Sequence, residues 1–273
     1  MFSFSKMQAT GNDFIIINYL ENKTEYSYKL LAQFLCERHF GVGADGMITI
    51  EKSNTTDFKM RIFNQDGSEA EMCGSGIRCF AKYVYEKKLI NKEEFGIETL
   101  SGIKYIKLKI EGDTVIKVEV DMGEPIFELE KIPVISGQKE YSGSLHIEGL
   151  KVYPVSMGNP HAICFVEDVD KVDLKKYGEL IENYKYFPNK TNVEFVQIIN
   201  ESNIKVRIWE RGVGETLACG TGVCAAAVIS NKYKSTNSRI FVDLLGGNLQ
   251  VRYDKSVILI GDAEFVFEGK IEI

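Results

Sequence analysis

Two stretches of the chain alternate apolar and polar residues across a turn of small residues. They are IETLSGIKYIKL (97–108) and VDLLGGNLQVRY (242–253), and each predicts a β-hairpin, because strand side chains alternate between faces. Helical spacing of apolar residues predicts helices over SYKLLAQFLCERH (27–39), over IRCFAKYVYEKKLI after Gly76, and over VCAAAVISNKYK after Gly222. MQATGNDFIII and VSMGNPHAICFV each end a short loop at Gly-Asn and open a strand-like apolar run.

These elements come in pairs. RIFNQDGSEAEMCGSG (61–76) lies over RIWERGVGETLACGTG (207–222) at a constant offset of 146. Arg61, Ile62, Glu69, Cys73, Gly74 and Gly76 fall on Arg207, Ile208, Glu215, Cys219, Gly220 and Gly222. Gly11-Asn12 falls on Gly158-Asn159, and Leu100 and Gly102 of the first hairpin fall on Leu245 and Gly247 of the second. Each half therefore reads as strand, glycine-rich turn with a cysteine, helix, then hairpin. The expected fold is α/β (α+β) in two like domains, 1–120 and 121–263. The crossover is placed near 119–124, and the closing strand 264–273 is expected to return to the first domain.

Composition narrows the function classes. The chain has 273 residues, 44% hydrophobic and 26% charged, with a formal net charge of -6. That balance and the lack of a basic run argue against a nucleic-acid partner. No apolar stretch approaches the roughly 20 residues of a membrane span, and the N-terminal residues carry no basic-then-apolar export signal. The expectation is a cytoplasmic protein whose six cysteines stay reduced. Gly41, Gly43 and Gly46 spell GxGxxG, but in the order helix, turn, strand, the reverse of a dinucleotide site. A four-cysteine zinc site from Cys73, Cys79, Cys219 and Cys224 lacks the usual ligand spacing. No cofactor and no metal is expected.

Cys73 and Cys219 stand just before Gly-Ser-Gly and Gly-Thr-Gly, at the start of predicted helices. Unpaired amides there suit a carboxylate and favour a thiolate. The helix dipole is worth up to about 2 kcal/mol when partly buried, enough to bring one thiol near neutrality but not both. One thiolate and one thiol is the state that two-base proton transfer at a carbon needs. Cys36, Cys79, Cys164 and Cys224 lie in apolar segments and read as core residues. His39 and His146 read as surface residues.

The ordered motifs ATGNDF, FNQDGSEAEMCGSGIRC, SMGNPHA, NKTNVEF and ERGVGETLACGTGVCAA resemble the diaminopimelate epimerase family over most of the chain. The resemblance implies cofactor-independent interconversion of L,L- and meso-diaminopimelate, in lysine and cell-wall precursor synthesis. It also implies two domains, each a mixed or antiparallel sheet wrapped around a central helix, with the active site in the cleft between them. Carried over by position, Cys73 and Cys219 would be the acid/base pair, and the amides of Gly74, Ser75, Gly220 and Thr221 would hold the carboxylate at the reacting carbon. Asn12, Asn64, Asn159, Asn192, Glu210 and Arg211 would hold the far end of the substrate. His161 and Glu210 resemble the family's thiol-tuning residues, with His161 expected near Cys73. Two positions depart from the pattern: Ser75 replaces the family's usual asparagine, and Gly46 stands where some members carry a glutamine. The small-molecule substrate would be the partner, with a homodimer as the expected assembly. A histidine or proline racemase of the same fold is the nearest rival, and a non-catalytic thiol- or metal-binding protein the rival from another class.

Overall fold

The computed structural model describes residues 2–21, 26–136 and 143–272. The chain divides into two compact units, Met1–Asp121 with Ile260–Ile273, and Met122–Leu259. The first begins with β1 (Phe2–Ala9), β2 (Asn12–Asn18), α1 (Tyr28–Cys36), β3 (Gly46–Glu51) and β4 (Phe58–Asn64). It continues with β5 (Glu69–Ala70), α2 (Gly74–Glu86), β6 (Glu94–Thr99), β7 (Gly102–Glu111) and β8 (Thr114–Asp121). Then follow β9 (Leu145–Ile147), β10 (Leu150–Ser156), β11 (Pro160–Phe165), α3 (Leu174–Glu182), β12 (Asn192–Asn200), β13 (Asn203–Glu210) and β14 (Gly214–Thr216). The chain ends with α4 (Gly220–Lys234), β15 (Arg239–Leu244), β16 (Gly247–Tyr253), β17 (Val257–Gly261) and β18 (Glu264–Ile271).

In the first unit the hydrogen-bonded order is β18-β1-β2-β3-β4-β6-β7-β8, with β5 against β4. In the second it is β9-β10-β11-β12-β13-β15-β16, with β14 against β13. The internal repeat is thus a repeat of topology. Parallel neighbours need a long crossover, usually a helix. The parallel pairs β2–β3 and β4–β6 are bridged by segments containing α1 and α2, and β11–β12 and β13–β15 by segments containing α3 and α4.

α2 and α4 are the central helices of their units. Residues 74–84 of α2 are all buried, as are Gly220 and residues 222–230 of α4. A helix covered all round must be apolar or small all round. The Ala225–Ala227 run meets this in α4, which packs against β10–β13, β15 and β16. α2 packs against β1–β4, β7 and β8 and carries two buried cations, Arg78 and Lys82. Lys82 gives its ammonium to the Val115 carbonyl at 2.8 Å and to Glu86 at 2.9 Å.

Two details differ from the sequence expectation. The helix expected over 27–39 ends at Cys36, because Glu37 turns extended and its carboxylate accepts from the His39 and Phe40 amides. Glu37 thus caps a turn rather than extending a helix. The helices after the cysteine loops begin at Gly74 and Gly220, before the apolar run. Glycine is a poor helix former, so tertiary burial outweighs propensity there, and each cysteine becomes the residue that caps the helix. The GxGxxG stretch is a turn, with Gly43 at φ +79°. Among the described residues, no helix is long and apolar enough to cross a membrane.

Candidate active site

Each cysteine loop is prepared by the same ion pair. Arg61 on β4 grips Glu69 on β5 at 2.7 and 2.8 Å, and Arg207 on β13 grips Glu215 on β14 at 2.9 and 2.8 Å. In the first pair two parallel bonds, one to each carboxylate oxygen, fix direction as well as distance, and in the second both nitrogens meet the single oxygen Oε1. The clamp closes the short hairpin from which the chain enters the cysteine loop. The sequence repeat contains these four residues, yet no role follows from the pattern alone; their recurrence eight apart in both halves was the available signal.

Cys73 and Cys219 then take nearly identical extended backbones, φ -142°, ψ 122° and φ -134°, ψ 117°. Their carbonyls accept the Ile77 and Val223 amides at 2.9 Å. The amides of Gly74–Gly76 and Gly220–Gly222 form the first turn of a helix, without an intrahelical acceptor and with its partial positive charge. Cys73 and Cys219 are half-buried as residues, whereas Cys36, Cys79, Cys164 and Cys224 are buried. Burial pushes the Cys36 and Cys79 thiols up to about 12 and the Cys164 thiol higher still, as inert core thiols require.

The surroundings of the two thiols differ. In the first unit the Asn12 amide points at the Cys73 sulfur at 3.7 Å. In the second, Cys219 lies within the influence of the Glu210 carboxyl and 3.4 Å from the Thr221 hydroxyl. Burial, then the charge of Glu210, pushes the Cys219 thiol well above its ordinary value, against the pull of Thr221 and the Gly222 amide. At Cys219 the helix terminus alone therefore does not produce a thiolate. Burial also raises the Glu210 carboxyl, with Glu194 adding to the rise and Cys219 and His161 opposing it.

His161 is wholly buried on β11. Its Nδ1 lies 2.7 Å from Glu194 Oε1 on β12, and its Nε2 lies 2.9 Å from Asn159 Oδ1. Asn159 in turn donates to Thr221 Oγ1 at 3.3 Å. Glu194 was not among the residues expected from sequence. Its signal was a carboxylate within the apolar strand NVEFV, a costly placement unless partnered.

Gly222 makes room for that carboxylate, because a Cβ there would lie 2.5 Å from Glu194 Oε1. Glu194 is itself fully buried and tied to His161, so it has nowhere to move. Gly222→Ala is expected to cost about 1–3 kcal/mol of stability by overpacking, read as a lowered urea midpoint at unchanged slope.

The far-end residues fall at strand ends and turns: Asn12 starts β2, Asn64 ends β4, Asn159 lies between β10 and β11, Asn192 starts β12, Glu210 ends β13 and Arg211 follows it. Asn192, buried at the start of β12, donates to the Pro160 carbonyl at 3.1 Å and accepts the Arg211 amide at 2.9 Å. Its carboxamide thus braces the loop bearing Arg211. Glu182 at the end of α3 does the same from below, accepting from Trp209 Nε1 at 2.7 Å and from the Gly212 amide at 3.0 Å. Arg211 is exposed, with Nη1 on the Asn189 carbonyl at 3.0 Å. Asn64 is exposed and donates to Ser68 Oγ at 2.9 Å. His39 and His146 are exposed. Among the described residues, no group of three or more His, Cys, Asp or Glu side chains could hold a metal ion.

The family model described as "Diaminopimelate epimerase" matches residues 4–128 and 153–266. The chain belongs to the diaminopimelate epimerase family. Curated relatives bearing that name include one from Methanococcus maripaludis, 46% identical over 278 residues and 99% of each chain. Another, from Caldanaerobacter subterraneus subsp. tengcongensis, is 48% identical over 276 residues and 99% of each chain. Among solved structures, the fold is similar to a PhzF-family phenazine biosynthesis protein of Bacillus anthracis. That match has a TM-score of 0.72 and 19% identity, covering 100% of this chain and 99% of that one. It is also similar to a probable proline racemase of Agrobacterium radiobacter, with a TM-score of 0.73 and 12% identity, over 100% and 93% of the chains.

Both departures from the family pattern have a place in the fold. Ser75 is buried in the first turn of α2, so its amide lies in the helix-terminus cradle. At Gly46 a Cβ would lie 2.9 Å from the Phe63 carbonyl, so β3 and β4 leave a side chain little space there.

Proposed function

We propose that this protein interconverts L,L- and meso-diaminopimelate, with Cys73 and Cys219 as the two bases. The observation that carries this reading is the repeated cysteine loop. Two cysteines of matching backbone geometry each stand at the N-cap position of a buried helix, beside first-turn amides that have no intrahelical acceptor.

The chemistry follows from these parts. The substrate carboxylate is held by the amides of Gly74, Ser75, Gly220 and Thr221, which take up the charge that grows on it as the α-proton leaves. One thiolate removes that proton, and the C–H electron pair passes into the carboxylate as an enolate-like anion. The opposite thiol then gives its proton to the other face, so the thiol and thiolate exchange places and nothing else is consumed. The reading requires both sulfurs to reach one α-carbon from opposite sides. Cys219, raised by burial and Glu210, is assigned as the resting thiol. Glu210 and His161 tune the pair. Arg211, braced by Asn192, suits the distal carboxylate, and Asn12, Asn64 and Asn159 suit the amino groups. The enzyme acts in the cytoplasm on a small molecule without an added cofactor.

Incubation with L,L-diaminopimelate in D₂O tests this. The expected result is conversion to the meso isomer with solvent deuterium at the inverted α-carbon, followed by NMR and mass. No interconversion by the folded protein, or inversion without deuterium gain, would overturn it.

A further inference from the structure

The proposed active site contains a hydrogen-bond chain whose starting residue lies outside the set of groups expected to meet substrate. It runs Glu194–His161–Asn159–Thr221–Cys219, through contacts of 2.7, 2.9, 3.3 and 3.4 Å. Every member belongs to the second unit.

The direction of each bond is set by what each atom can do. Asn159 donates to Thr221 through Nδ2, so its Oδ1 faces His161 and must receive a proton from Nε2–H. With Nε2 protonated, the Nδ1 contact to Glu194 needs one further proton, carried by the ring or by the carboxyl. Either way the Glu194–His161 pair holds two protons and bears no net charge, and Nε2 remains a donor. Thr221 Oγ1 accepts from Asn159, which leaves its own hydrogen to point at the Cys219 sulfur. We infer that Glu194 is a positioning residue: by fixing Nε2 of His161 as a donor, it orients the Asn159 amide and turns the Thr221 hydroxyl toward Cys219.

The repeat supplies an internal control for a merely structural role. Glu194 falls on Ile48 at the offset of 146, and His161 falls on Phe14 at the offset of 147. In the first unit those two apolar side chains face Gly76, the counterpart of Gly222, together with the Cys73 Cβ. A Cβ on Gly76 would lie 3.0 Å from Ile48 and 3.5 Å from Phe14, as one on Gly222 would meet Glu194. The same packing position is thus filled by an apolar pair in one unit and by an acid–imidazole pair in the other. The fold does not need the carboxyl; the site beside Cys219 has it. The second oxygen, Oε2, is buried without a hydrogen-bond partner among the described residues, so burial of this group is offset mainly through His161. Other charge near the ring comes from Glu210.

The inference rests on the two-base reading, and its test separates the two. Nitrogen NMR of His161 in the wild-type protein is expected to show Nε2 as the nitrogen that carries a proton. Glu194→Ile, which copies the first repeat, is expected to fold, to release His161 into a mixture of tautomers, and to lower kcat by up to about 10²-fold, the scale of misplaced reacting groups. Its KM should rise too, since Asn159 also faces the substrate. Glu194→Gln, whose amide can donate to Nδ1, is expected to restore the single tautomer and most of the turnover. A bare Nε2 in the wild type overturns the inference even if Glu194→Ile does not fold. So does a Glu194→Ile enzyme with wild-type kcat, KM and ring pattern. Failure of the wild type to epimerise at all would instead remove the proposed function.

Discussion

Replacing Cys219 by alanine is expected to lower interconversion of the two isomers by about 10²–10⁴-fold, the usual contribution of a positioned acid or base. Cys73→Ala is expected to do the same. The informative part is what each variant still does. A single remaining thiolate can take the proton from its own face, exchange it with solvent and return it to that face. Each variant should therefore wash deuterium into one stereoisomer with its configuration kept, and the two variants should choose opposite isomers. The pattern is read by NMR of the α-position in D₂O, with chiral separation of the products. It also identifies which sulfur serves which face, a matter on which the matching backbones of the two loops are silent. Full interconversion by either variant would remove the two-base mechanism while leaving the family membership untouched.

Much of this architecture could be read from the chain because the same signals occur twice. The hairpins at Gly102 and Gly247, the apolar runs after the cysteine loops and the Gly-Asn turns all follow short-range rules of period and turn chemistry. The first turns of α2 and α4 did not follow such rules. Gly-Ser-Gly and Gly-Thr-Gly are poor helix starts, and burial among strands far away in sequence decides their conformation. The loop residues of the candidate site stood out by their pairing, whereas the residues behind them did not. Glu194 looks like an interruption in an apolar strand until it is laid over Ile48. Arg78 reads as the polar position of an amphipathic helix, because one of its partners is 184 residues away.

Arg78 carries the largest stability effect expected. It is fully buried in α2, and its three nitrogens are each committed. Nε donates to the Asp262 carbonyl at 3.0 Å, Nη1 to the Gly74 carbonyl at 2.9 Å, and Nη2 to Thr10 Oγ1 at 3.1 Å. One planar fork thus joins the segment before β18, the first turn of α2 and the turn between β1 and β2. Arg78→Ala leaves two buried acceptors, the Gly74 carbonyl and Thr10 Oγ1, and the part-buried Asp262 carbonyl without this donor, at about 1–3 kcal/mol for each buried group, beside the cavity. A loss on the order of 3–5 kcal/mol is a large share of the roughly 5–15 kcal/mol that holds a domain folded. Arg78→Met separates the causes, since it fills most of the volume and supplies no donor. It should lose nearly as much as alanine in urea unfolding, and Arg78→Lys should recover only part, because an ammonium cannot reproduce the fork. If Arg78→Met instead matched the wild type within about 0.5 kcal/mol, the effect of a neutral surface change, packing rather than the guanidinium would be the stabilising element. The Gly74 carbonyl gives the prediction a functional side. Its residue belongs to the proposed carboxylate cradle, so any Arg78 variant that remains folded should show a raised KM for diaminopimelate before its kcat falls.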